Sequence, residues 1–115
     1  MAIPSGSGTE VLKRITVHAN NSGYVEALSG TANHIYTIIS VIFCNNTGSE
    51  YSIGMRVNDG SNDIQLLSAS GNKVAGYETF VFNDKFVLLE DDDLDVFNDH
   101  SDGDWYITYI DQDWS

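Results

Sequence analysis

The residues of this chain able to do chemistry are three histidines, one cysteine and a crowd of acids toward the carboxyl end. His18, His34 and His100 lie too far apart for a local metal site. No cysteine joins them in a zinc pattern and no H-E-x-x-H occurs, so they read as surface or strand-edge histidines. Cys44 follows an apolar run with no nucleophile signature around it, which reads as an inert thiol in a core strand. As the one cysteine, it excludes an internal disulfide. Phosphate-cradling loops and G-x-S-x-G are absent. Glu90, Asp91, Asp92 and Asp93, then Asp95, Asp99, Asp102 and Asp104, supply hard oxygens of the kind calcium takes. Within residues 99–104, however, the glycine stands at the wrong offset for an EF-hand loop and the distal glutamate is missing. The acids therefore read as a solvated, charge-repelling rim. A carboxylate pair for glycoside hydrolysis would need a deep cleft, for which 115 residues of sandwich give little room. The expectation is a binding protein and not an enzyme, with no catalytic residue, no cofactor and no metal site.

Charge narrows the partners. Residues 1–89 hold seven acids and five bases, whereas residues 90–115 hold ten acids and no lysine or arginine. A field of that sign repels phosphates and anionic lipid, which argues against nucleic acid and membrane. It favours solubility, or docking on a basic surface that would weaken as salt rises. No apolar stretch reaches the ~18 residues of a spanning helix. The first residues show no basic region followed by an apolar one, so no secretory signal is expected.

The elements that must position these residues are short β-type runs separated by Gly, Asn and Asp turns. Residues 1–9, with Ser-Gly-Ser-Gly at their centre, read as a flexible arm, and residues 10–115 as one domain. Runs at 11–18, 24–28, 34–44, 51–57, 63–69, 78–82, 86–89, 94–97 and 105–110 predict about eight or nine strands and no helix. In 51–57, Tyr51, Ile53, Met55 and Val57 alternate inward. Asn58-Asp59-Gly60 signals a hairpin, because both Asp and Gly tolerate the positive φ that tight hairpin turns require. The 34–44 run is apolar on both faces, with Ile35, Ile39, Val41 and Phe43 on one and Tyr36, Ile38 and Ile42 on the other. That pattern marks a central strand covered on both sides by protein or by a partner. The expected fold is all-β, a single antiparallel β-sandwich or jelly roll.

The order of these runs carries a resemblance. The stretch His34-Ile35-Tyr36-Thr37-Ile38-Ile39-Ser40-Val41 is followed by the turn Asn45-Asn46-Thr47-Gly48 and the strand at 53–57. Then come residues 78–88, Asp93-Leu94-Asp95-Val96, and a last strand ending at Ile110. Over residues 20–110 this resembles the small β-sandwich virion proteins of tailed bacteriophages, above all capsid decoration (cement) proteins. The resemblance implies a virion structural protein, assembled in the host cytoplasm, which binds the outer head surface and stabilises it. The major capsid protein or other virion proteins would be its partners, with copies of itself beside it on the particle. Related sandwiches serve in tail collars and head fibres, so a receptor- or glycan-binding module is the alternative. Three residues are expected at the partner interface. Ile3 and Pro4 form an apolar, partly stiffened tip on the arm, and Trp114 lies beyond the last strand. Trp105 is expected in the core, with Tyr106 and Tyr109 sharing core and surface by alternation.

Overall fold

In the computed structural model, residues 8–19, 23–99 and 102–115 are described. They form ten strands: β1 (Thr9–Ala19), β2 (Gly23–Ser29), β3 (His34–Asn45), β4 (Tyr51–Asn58), β5 (Asp63–Leu67), β6 (Lys73–Val74), β7 (Thr79–Phe82), β8 (Phe86–Leu88), β9 (Asp93–Asn98) and β10 (Gly103–Asp113). All pairings are antiparallel. The first sheet runs β1-β10-β3-β7, with β8 pairing the other end of β3. The second runs β2-β9-β4-β5, with β6 pairing the other end of β4. Taking β5 with β6 and β7 with β8 as two interrupted strands leaves four positions in each sheet. The chain crosses repeatedly from one sheet to the other, as a jelly roll does. The all-β sandwich expected from sequence is the fold observed. Thr9, read as the end of the arm, is instead the first residue of β1.

Both sheets contribute alternate residues to one core. Ile38, Val41, Phe43, Trp105 and Ile107 of the first sheet meet Ile53, Met55, Leu94 and Val96 of the second, with Leu88 beside them, all buried. Phe43 lies 4.7 Å from Trp105 at an interplanar angle of 50°, a tilted pair that interlocks two large side chains. Gly103 makes room for it, because a Cβ there would stand 2.5 Å from Phe43 Cε1.

One expectation about β3 is corrected. Ser40 pairs Thr108 and Ile38 pairs Tyr109, so Ile39 is a bulge without a partner on β10. One extra residue in a two-residue repeat exchanges the faces. Tyr36 and Ile38 therefore face inward before the bulge, and Val41, Phe43 and Asn45 after it. Neither apolar set read from the sequence stays together: Ile42 is left on the outer face, and Ile35 is buried outside the core cluster.

The hairpin expected at Asn58-Asp59-Gly60 is present, with β4 and β5 paired antiparallel and joined by residues 59–62. Of Asp59 and Gly60, only Gly60 has positive φ, at 93°. The Asp59 carboxylate instead accepts the backbone N–H groups of Ser61 (3.0 Å) and Asn62 (2.7 Å), closing a wider loop. Those two donors, Asn62 first, hold its carboxyl below the usual range.

Candidate interaction surface

Strand register decides which side chains share a row across each outer face. On the first sheet, one row reads Thr16, Tyr106, Ile42, Val81 and another Leu12, Ile110, Thr37, Val87. Between them runs Arg14, Thr108, Ser40. Polar rows close both ends: His18, Asp104, Cys44, Thr79 at one and Glu10, Gln112 at the other. Leu12 is 68% exposed, Tyr106 43%, Val81 47% and Val87 51%. The charged groups at the rims are tied down. Asp104 meets the His18 ring and accepts from Asn46 Nδ2 at 2.7 Å, and Gln112 donates to Glu10 at 2.8 Å. The bond to His18, then that to Asn46, lowers the Asp104 carboxyl, while the same contact raises His18. In the middle row across β1, β10 and β3, Arg14 is the charged residue, and its guanidinium carbon stands 5.8 Å from the centre of the Tyr106 ring.

The outer face of the second sheet is the opposite. Glu26, Asp95, Arg56 and Gln65 form one row across β2, β9, β4 and β5. Asp93, Asn58, Asp63 and Ser29 form the next. In these two rows four carboxylates stand with one cation: Arg56 donates to Asp95 at 3.1 Å and pairs Asp63 at 3.6 Å. Its guanidinium covers the Tyr24 ring at 3.8 Å. Tyr24 also packs on Phe97 at 5.1 Å and reaches over Gly54 to Gln65. Repulsion from Asp93, then burial and Asp95, raises the Glu26 carboxyl above its ordinary range.

Because Glu26 binds its proton more tightly when folded, its ionisation opposes folding. The cost is absent below the unfolded carboxylate range and complete above the raised folded value. Glu26→Gln is therefore expected to raise the melting temperature by about 1–4 °C at pH 7, since it sits directly across from Asp95. The gain should vanish in melts run below about pH 4. A gain that is equal at both pH values would show that repulsion is not its source.

The residues singled out by sequence are scattered over this frame. Ile3, Pro4 and His100 lie outside the described residues. Trp114 is half-buried just past β10, donates its backbone N–H to Asn33 O at 2.8 Å and packs over Gly8. Its indole Nε1 has no partner among the described residues. His34 bonds the buried Asp111 carboxylate at 2.7 Å, and Lys13 does the same at 2.8 Å. Burial pushes the Asp111 carboxyl up, but the bonds from Lys13 and His34 outweigh it and hold the group low. The acidic stretch at 90–92 is a tight turn in which Asp92 accepts from Leu89 N at 2.7 Å. Among the described residues no three His, Cys, Asp or Glu side chains are grouped to hold a metal. Cys44 is half-buried on the outer face of β3, not in the core as read from sequence. Leu12, Val81 and Val87 were not singled out, and their one trace in the sequence is the second apolar face of 34–44.

No family model matches the chain, and no curated protein matches it. Among solved structures it is similar to a protein from work titled "Bacillus endospore appendages form a novel family of disulfide-linked pili". The two are 13% identical with a TM-score of 0.52, covering 100% of this chain and 97% of that one, which is a likeness of fold.

Proposed function

We propose that this chain is a non-catalytic structural subunit of a phage-type virion. It is a capsid decoration protein that docks on the head through the outer face of its first sheet. The observation that supports this is the separation of charge between the two outer faces. One presents Leu12, Tyr106, Val81 and Val87 to solvent around a single arginine. The other crowds Glu26, Asp63, Asp93 and Asp95 around Arg56. Docked in this way, the protein buries its apolar face and turns an acidic one outward, which keeps coated particles apart.

The test is co-sedimentation with undecorated heads. Val81→Lys is expected to weaken binding at least tenfold, while Glu26→Lys leaves it nearly unchanged. Binding of the unaltered protein, measured at high dilution, should hold from low to high salt, because apolar burial is not screened. Binding that fades with salt and is lost in Glu26→Lys would assign docking to the acidic face instead.

A further inference from the structure

Four strand positions at ~4.8 Å spacing and 11-residue strands at ~3.4 Å per residue give the first sheet an outer face of about 700 Å². Two of its five rows are largely apolar and carry the exposed Leu12, Tyr106, Val81 and Val87. The formal net charge of −12 makes most approaches between two copies repulsive. This face is the exception. Its central rows hold Arg14 and no carboxylate, and the acids at its two ends, Glu10 and Asp104, are already engaged by Gln112, His18 and Asn46. Over β1, β10 and β3 two copies can therefore meet without bringing unpaired acids together.

We infer that before docking the protein is a two-fold dimer, closed face to face through the first sheet. A second copy is the occupant that the observations favour, because the paired rows at the centre of this face hold no carboxylate and its two largely apolar rows can exchange across a two-fold axis. Tyr106, Ile42 and Val81 of one copy can lie on the Leu12, Ile110 and Val87 row of the other, as inner faces do in a sandwich. Two such faces bury about 1,400 Å², within the range of stable specific interfaces. The inference rests on the same surface that the proposed function uses, and adds its regulation: the dimer hides the docking face, and the head displaces the second copy.

Sedimentation equilibrium of the full chain tests this. A species of twice the 12.7 kDa chain mass is expected, tightening as salt rises because repulsion between the two acidic copies is screened. Val81→Lys and Tyr106→Glu, both at exposed positions, should each weaken the dimer at least tenfold with an unchanged circular dichroism spectrum, while Glu26→Gln leaves it intact. A monomer at every concentration overturns the inference, and so does a dimer indifferent to both substitutions. Head binding separates the two readings. If the unaltered protein is monomeric yet Val81→Lys no longer binds heads, docking stands and the dimer falls. If Val81→Lys breaks the dimer but binds heads normally, the dimer stands and the docking face is wrong.

Discussion

Trp105→Ala is expected to lower the unfolding free energy by about 3–5 kcal/mol, a large share of the ~5–15 kcal/mol that holds a domain folded. Trp105 is buried on the inner side of β10, where its ring packs on Phe43 at 4.7 Å. Its Nε1–H donates to Asn98 Oδ1 at 3.2 Å, linking β10 to β9 of the opposite sheet. Truncation leaves a cavity where the two sheets meet, and the rigid strands on either side cannot collapse into it. Trp105→Phe keeps most of the apolar contact while losing the donor, so its cost should be much smaller. Urea titrations check this through the midpoint, with an unchanged slope if unfolding stays two-state. A loss under about 1 kcal/mol for the alanine variant would mean that the indole does not pack between the sheets.

Asn45→Asp is expected to cost about 3–5 kcal/mol at pH 7, although it changes the side chain by one atom. Asn45 is buried at the end of β3, and its Nδ2 donates to three carbonyls, Ser49 O at 2.7 Å and Val74 O and Ala75 O at 3.2 Å. Its Oδ1 accepts from Thr47 N at 2.9 Å and Thr47 Oγ1 at 3.0 Å. One amide therefore ties the 46–50 loop to β6 with both ends satisfied. A carboxylate in its place faces three carbonyl oxygens with no donor to offer. The introduced group takes a raised folded pKa, so the penalty is complete above that value and shrinks as pH falls toward the unfolded ~3.9. Denaturation at pH 7 and pH 4 reads this directly. Equal stabilities at the two pH values, close to the unaltered protein, would place the amide in water.

Much of the fold was legible because strand periodicity is a local property. Tyr51, Ile53 and Met55 alternate in the sequence and are buried in β4, with Val57 packed against the same core. Trp105 and Tyr109 face inward and Tyr106 outward, as their two-residue spacing requires. The asparagine, aspartate and glycine turns fall between strands, since short polar side chains satisfy the backbone there, as Asp59 and Asp92 do. The two-residue β6 was not legible, because a pair of residues carries no period.

Residue types and local spacing thus determined the all-β class, the approximate strand positions and the uneven placement of charge along the chain. The bulge at Ile39 was decided by the tertiary structure, because it exists only in the register that β3 adopts against β10. The same holds for the apolar outer face. Leu12, Ile42, Val81, Val87 and Tyr106 are each one residue in an alternating strand, unremarkable where they stand. Alternation tells which residues share a side of one strand. Which strands become neighbours is set by long-range pairing that buries the common core, and only that pairing lines five separate side chains into one surface.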